Sequence, residues 1–169
     1  MLENALYNIL RNDTGVSAYV TDAKGIAFTL IPSGTLKTSA VVVIHNVTGV
    51  PTTTLDATTD LNERRVQFDC YASNYTDSRG LAAAVKNALV DLAIGSYSNG
   101  DSPLTYTFIQ TSIINNDFDM PYEQGGAGIG FVYRAVLDIT FWFNEGVFPT
   151  ATPSNVSPDI DGGTFEDSF

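Results

Sequence analysis

Few residues of this sequence have side chains suited to catalysis or metal binding, and those few are scattered. The single histidine, His45, has no Cys, Asp or Glu neighbour at ligand spacing, and an isolated imidazole is more often packed or interfacial than catalytic. The single cysteine, Cys70, excludes an intramolecular disulfide and a multi-cysteine metal site. Because Cys70 falls on the apolar side of a predicted strand, we expect it to be a buried small hydrophobic residue.

Two other patterns look like binding loops but lack the required context. Asp117, Asp119 and Glu123 supply carboxylates for calcium, yet the EF-hand spacing and its glycine are missing, which favours a solvated acidic loop. The glycines of residues 126–130 precede a predicted strand, whereas a phosphate-binding loop leads into a helix. No Gly-x-Ser-x-Gly motif is present. We therefore predict no catalytic, cofactor-binding or metal site.

Residues 61–92 contain the clearest change of pattern in the chain. In residues 65–72 apolar and polar side chains alternate, which is the period of a strand buried on one face. In residues 81–92 apolar residues recur at spacings of three and four, which predicts an amphipathic helix. Asn74 is a candidate N-cap and Gly95 a candidate stop. The stretch therefore predicts a strand that leads directly into a helix.

Periodicity predicts the remaining elements as well. Helical spacing predicts a first helix that ends at residues 12–15. Further strands are predicted for residues 26–31, 40–48, 105–114 and 131–143. The threonine-rich residues 49–60 are predicted to be a long polar loop or an extended hairpin tip, residues 95–103 a flexible segment and residues 115–130 a second long connection.

The predicted elements belong to one domain of the α+β class. Their order favours an antiparallel or mixed sheet of about five strands with two helices packed on one face. A chain of 169 residues with 44% hydrophobic residues fits a single domain, residues 1–145. Residues 146–169, rich in Pro, Ser, Thr, Gly and acid and without a basic residue, are predicted to be an extended or disordered acidic tail. Uncovered sheet edges favour pairing with copies of the chain.

The charge of the chain bears on its partners. The formal net charge is −11 with only eight Lys plus Arg, which argues against wrapping nucleic acid, because non-specific affinity comes from clustered cations. No run approaches the roughly 18 apolar residues needed to cross a bilayer, and Met1 is followed by an amphipathic helix instead of a signal sequence. We expect a soluble protein made in a cytoplasm, with no membrane partner.

Three segments carry a resemblance to a known family. The strand Gln-Phe-Asp-Cys-Tyr-Ala (residues 67–72), followed by a polar turn and an Ala-rich helix with Arg79 near its start, resembles the tail-terminator, or tail-completion, proteins of long-tailed bacteriophages. The N-terminal helix MLENALYNILRND and the final strand Leu-Asp-Ile-Thr-Phe-Trp-Phe (residues 137–143) fit the same family. The resemblance implies a non-enzymatic virion protein of the tail or neck. Such a protein forms a ring, expected to be hexameric, that caps the head-proximal end of the tail tube, terminates tail polymerisation and provides the head-tail joining interface.

The resemblance also implies partners, whereas the candidate contact residues follow from expected exposure and location. The partners would be copies of the chain, the tail tube protein and a head-completion or neck protein, while DNA passes through the ring without specific binding. Candidate contact residues, chosen by expected exposure and location, are Asp56, Arg64, Arg65, Asp69, Phe148, Phe165 and Phe169. Two alternatives remain open. One is another neck or head-completion component, and the other is a small ligand-binding or enzymatic α+β domain with His45 or residues 117–123 as its site.

Overall fold

Three helices and six strands make up the part of the chain that the structure describes. The computed structural model describes residues 2–22, 24–31, 39–53, 58–90, 92, 95–100, 106–122 and 132–146. The elements are α1 (Leu2–Asn12), α2 (Thr14–Ser17), β1 (Ile26–Phe28), β2 (Val41–Thr53), β3 (Thr58–Ala72), α3 (Tyr75–Val90), β4 (Gly95–Ser98), β5 (Tyr106–Tyr122) and β6 (Val132–Gly146). The predicted α+β class is confirmed, with six strands instead of about five.

The six strands form one mixed sheet in the order β1-β2-β3-β6-β5-β4. Only β1 and β2 run parallel, and every other neighbouring pair is antiparallel. The central pair, β3 and β6, keeps an unbroken register from Leu61 opposite Asn144 to Ala72 opposite Tyr133. The two long strands on either side, β2 and β5, contain register shifts, which are places where a strand bends.

The helices pack on one face of this sheet, as predicted. Helical spacing places apolar residues of α1 and α3 over the strands, where they are buried with the inward residues of β2, β3 and β6. Phe68 and Phe141 meet there edge to face, with ring centroids 6.3 Å apart. The predicted N-cap is confirmed, since the Asp77 backbone N–H donates to Asn74 Oδ1 at 2.8 Å. The predicted burial of Cys70 is also confirmed.

Much of the two predicted connections is strand. Residues 49–53 and 58–60 continue β2 and β3 as the arms of a hairpin, so the extended hairpin tip is the correct alternative. Residues 115–122 continue β5 along β6. The physical reason is that backbone ladders hold polar residues as well as apolar ones, and strand propensity depends on the partner strand. The remaining loop residues, 54–57 and 123–130, lie outside the described residues.

Other boundaries differ slightly from the prediction. Residues 95–98, predicted to be flexible, form the short edge strand β4, whose first residue is Gly95. The first strand is limited to Ile26–Phe28. Within the described ranges, every helix is too short or too polar to cross a bilayer. The predicted acidic tail lies outside the described residues except for its first residue, which ends β6.

Candidate functional site

The sheet face turned away from the helices carries a cluster of charged and polar side chains around a buried carboxylate. Asp69 is 1% exposed. Its Oδ2 atom lies 2.7 Å from Arg134 Nη2 and 3.1 Å from His45 Nε2, and accepts a hydrogen bond from the Tyr71 hydroxyl at 3.3 Å. Gln67 Nε2 donates to the Oδ1 atom at 2.8 Å. We call these five residues the Asp69 cluster.

Strand alternation and register together explain why this cluster forms. Phe68 and Cys70 point into the core, so Asp69 between them points to the opposite face. On β3, Gln67 lies two residues before Asp69 and Tyr71 lies two residues after it. The register places His45 of β2 opposite Gln67 and Arg134 of β6 opposite Tyr71. Three strands therefore contribute donors to one buried acceptor. A buried carboxylate with a cation and hydrogen bonds is a stable arrangement, whereas an unpaired one is costly.

The charged groups of the Asp69 cluster contact one another within the chain. The Asp69 carboxylate is paired with Arg134, and His45 Nε2 contacts that same carboxylate. The chain's thiol, Cys70, lies on the opposite face, where burial raises the pKa of Cys70 and keeps it protonated. Within the described ranges, no group of three His, Cys, Asp or Glu residues is placed to hold a metal ion. His45, predicted to be packed or interfacial, contacts Asp69 within the chain and keeps 31% of its side chain exposed.

A second ion pair lies on the same face, one step further along the central strands. Arg65 Nε is 2.8 Å from both carboxylate oxygens of Asp138, and Arg65 Nη2 also contacts Asp138 Oδ2. Asp138 is 4% exposed. The hydrogen bond from Arg65 is the main cause that lowers the pKa of Asp138, against the opposing effect of burial, and hydrogen bonds from Asn115 and Asn116 add to it. The same contact raises the pKa of Arg65.

The neighbouring arginine, Arg64, points to the helix face and joins α1 to the sheet. Its Nη1 atom lies 2.7 Å from Glu3 Oε1. Its guanidinium lies 5.4 Å from the centre of the Phe143 ring, within the range of a cation–π contact. Asn46 donates to the same Glu3 oxygen. Arg64 therefore anchors the first helix.

The two described acidic residues of the candidate calcium loop are strand residues paired with cations of α3. Arg79 Nη1 lies 2.7 Å from Asp117 Oδ1 and 3.2 Å from Asp119 Oδ1, and Lys86 Nζ lies 3.6 Å from Asp117 Oδ2. The hydrogen bond to Asp117 is the main cause that raises the pKa of Arg79. The prediction of a loop is wrong for these two residues, because β5 continues through them beside α3, but both residues are exposed, as predicted. Glu123 lies outside the described residues.

Three of the predicted contact residues lie on β3. Arg64, Arg65 and Asp69 each form an ion pair within the chain, and the exposure expected for Asp69 is wrong. Alternation indicates which face a residue is on, but it does not indicate how deeply that face is covered. Their role in contacts between subunits stays a prediction. The others lie outside the described residues and also stay predictions, namely Asp56, Phe148, Phe165 and Phe169.

Sequence reasoning missed Arg134 and Asp138, although a signal was present. Arg65 and Asp69 are four residues apart on β3, and Arg134 and Asp138 are four residues apart on β6. When two such strands run antiparallel, each arginine comes near the other strand's aspartate. The repeated spacing predicts two crossed ion pairs once the strands are recognised as partners.

Comparison with known proteins adds one finding about the fold. No protein-family model matches the chain, and no curated protein was found to be similar. Among solved structures, a chain described as "Virion of native gene transfer agent (GTA) particle" is similar with a TM-score of 0.52 and 16% sequence identity. The similarity covers 83% of this chain and 92% of that chain. The two chains therefore share a fold over most of their lengths.

Proposed function

We propose that this chain is a structural virion protein and, more narrowly, a tail terminator. In this role six copies form a ring on the head-proximal end of a phage tail tube, stop its polymerisation and offer the surface to which the head joins. The observation that carries the proposal is the fold shared with a chain of a virion, because it spans 83% of this chain and 92% of that one. The family resemblance of residues 67–72 and their flanking segments supports the narrower role.

The contacts within the chain suit a protein that acts by shape. On the sheet face away from the helices, Asp69 pairs with Arg134 and Asp138 pairs with Arg65, and these contacts hold β3 and β6 in a fixed arrangement. Assembly by complementary surfaces requires rigid surfaces and no reaction. In this role the chain makes and breaks no covalent bond.

The charge distribution supports passage of DNA without specific binding. Four arginines of the described residues, Arg64, Arg65, Arg79 and Arg134, each contact a carboxylate of the same chain. Guanidinium groups engaged in this way contribute little to phosphate binding, which depends on clustered available cations. With a net charge of −11, the ring would repel the DNA backbone. The proposed partners are the tail tube protein on one side and a head-completion or neck protein on the other.

The proposal is tested by measuring the mass of the purified chain over a concentration series and imaging the same samples by negative stain. We expect a ring-sized oligomer, or a monomer that closes into rings when tail tubes are added. Added to polymerising tube protein, the chain should shorten the tubes and appear at one end. An unrelated acidic protein of similar mass serves as the control.

Two results would overturn the proposal. A chain that stays monomeric at high concentration and leaves tube length unchanged is not a terminator. A chain that binds purified heads but never tubes is another neck or head-completion component. In infected cells we expect assembly in the cytoplasm and, by immunogold labelling, a position at the junction of head and tail.

A further inference from the structure

Among the described residues, short strands cover only part of each outer edge of the sheet. β4 pairs with residues 106–109 of β5, and β1 pairs with residues 42–44 of β2. In the described ranges, no strand pairs with the outer edge of β5 over residues 110–122, nor with that of β2 over residues 46–53. Unpaired strand edges present backbone donors and acceptors that favour pairing with another strand.

Large apolar side chains are exposed at these same two edges. Ile113, Phe118 and Met120 on β5 are 41% to 51% exposed. At the other edge, Phe28 on β1 and Val47 on β2 are exposed to a similar extent. Exposed apolar residues on an edge strand indicate an interaction surface. The acids between them, Asp117 and Asp119, are paired with Arg79 of the same chain.

The outlines of the two edges are complementary. Two residues are at the same level when a line across the sheet, perpendicular to the strands, joins them through successive strand partners. By this measure β1 is at the level of residues 135–137 of β6. β4 lies level with residues 143–146 of β6, at the other end of the sheet. When two copies stand side by side in the same orientation, β1 of one copy therefore meets the open part of β5 on its neighbour, at residues 117–119. In this arrangement β4 of the neighbour lies beside the C-terminal end of β2 of the first copy and does not overlap with β1 of that copy.

Strand direction also suits this arrangement. β2 runs antiparallel to β3, β3 to β6 and β6 to β5, so β5 runs opposite to β2. β1 is parallel to β2 and hence also opposite to β5. A neighbour in the same orientation consequently joins β5 to β1 as an antiparallel pair, which is the more stable ladder.

We propose that copies of this chain join edge to edge, with residues 117–119 of β5 in one copy paired antiparallel to β1 in the next. The partner of each edge is the opposite edge of a second copy. Such a contact joins two different surfaces, so it is head to tail, and it closes into a ring when the rotation between copies permits. This inference rests on the proposed ring assembly and names the surfaces that build it.

The register singles out a residue pair for cross-linking. Ala27 and Phe118 are both level with Val136 and both lie on the face away from the helices, so they would stand directly opposite each other across the contact. Opposed residues of an antiparallel pair have Cβ atoms about 4.5–5.5 Å apart, and the lower end of this range meets the separation of about 3.5–4.5 Å found in disulfides. Cys70 is buried with a raised thiol pKa, so it need not be replaced.

The experiment oxidises the double variant Ala27→Cys/Phe118→Cys and separates the products on a denaturing gel. We expect a ladder of covalent oligomers that ends at the size of the ring. Each single variant should yield little covalent dimer. The matched control is Asn12→Cys/Thr76→Cys, two exposed positions on the helix side, which should remain monomeric. Efficient dimers from either single variant would indicate a two-fold contact and would overturn the proposal.

A second pair of variants tests the same contact without cysteine. Phe118→Lys places a charge inside the proposed contact with β1 of the neighbour. Thr111→Lys places the same charge on β5 outside that contact, because β1 of the neighbour does not extend to the level of Thr111. We expect Phe118→Lys to raise the dissociation constant of the oligomer at least about tenfold and Thr111→Lys to leave it within about twofold. Circular dichroism verifies that both are folded.

The same variants separate this inference from the proposed function. If wild-type rings cap tail tubes but the double-cysteine variant forms no ladder and Phe118→Lys still forms rings, the edges are wrong and the terminator role stands. If the wild-type chain neither forms rings nor caps tubes, the terminator role itself is wrong.

Discussion

Replacing Asp69 with asparagine should destabilise the chain, because it removes the negative charge at the centre of the Asp69 cluster while keeping the shape of the side chain. Arg134 Nη2 lies 2.7 Å from this carboxylate, and the Arg134 side chain is 19% exposed. The substitution leaves a largely buried guanidinium without its counter-charge. The hydrogen bond from Tyr71 loses its charged acceptor, and His45 Nε2 loses the carboxylate that it contacts at 3.1 Å.

The size of the effect follows from these contacts. Removing one partner of a buried ion pair costs about 3–5 kcal/mol. Arg134 keeps part of its surface in water, and the amide oxygen of asparagine still accepts one hydrogen bond, so we expect the free energy of unfolding to fall by about 2–3 kcal/mol. Removing Arg134 as well should restore part of the loss, because neither charge then remains unpaired.

The assay is urea denaturation at neutral pH, followed by far-UV circular dichroism and the fluorescence of the single tryptophan, Trp142. It is performed at a concentration where the chain is monomeric, because assembly would add stability. Three variants are compared with the wild type, Asp69→Asn, Arg134→Met and the double variant, and we expect a coupling energy of about 1–2 kcal/mol. Glu63→Gln, an exposed acid on the same strand, is the matched control and should change stability by less than about 0.5 kcal/mol.

A loss below about 0.5 kcal/mol for Asp69→Asn would refute the reasoning, because it lies within the range of ordinary surface substitutions. So would additive effects of the two single variants. Either result would mean that the pair is solvated in solution and that this face of the sheet is more open than the contacts of Asp69 indicate.

Three further predictions concern other parts of the chain. Because Arg65 lowers the pKa of Asp138, the pair contributes stability that is present above about pH 4 and lost as the pH falls through the folded-state pKa; Arg65→Met should flatten this part of an acid-unfolding curve, and an unchanged slope would contradict the assignment. Asn74→Ala removes the α3 cap and should cost about 1 kcal/mol in urea, whereas Asn74→Ser should cost less; equal costs would argue against capping. Phe141→Ala should cost about 3–5 kcal/mol in the same assay, and a cost below about 1 kcal/mol would mean that the core collapses around the vacancy.

Most of the regular elements were predictable because their apolar residues follow a single period. The alternation around Phe68 predicted β3, and the spacing of three and four in residues 81–92 predicted α3. The extensions of β2 and β5 lacked such a signal. In β5, for example, Asn115 and Asp117 belong to a polar run in which apolar and polar residues do not alternate. Their strand conformation depends on the backbone ladder of the neighbouring strand, which lies far away in the sequence.

The candidate site was less predictable than the fold. Alternation correctly assigned Arg65 and Asp69 to the face away from the helices, but the depth of burial depends on which strands come together. Arg134 and Asp138 reach these residues only because β3 and β6 are neighbours, and that pairing cannot be read from either strand alone. Because β3 and β6 are neighbours, Arg65 and Asp69 form ion pairs within the chain and are not free surface charges.

The unbroken central ladder of β3 and β6 has a consequence for how the chain folds. Phe68 pairs with Leu137, so the two central strands are separated by about 70 residues of sequence. The hairpin of β2 with β3 and that of β5 with β6 are local and can form early, but the sheet becomes continuous only when a long loop closes between them. High contact order slows folding to the millisecond-to-second range. Closure of this long loop between the two hairpins is therefore the step that we expect to set the folding rate of the chain.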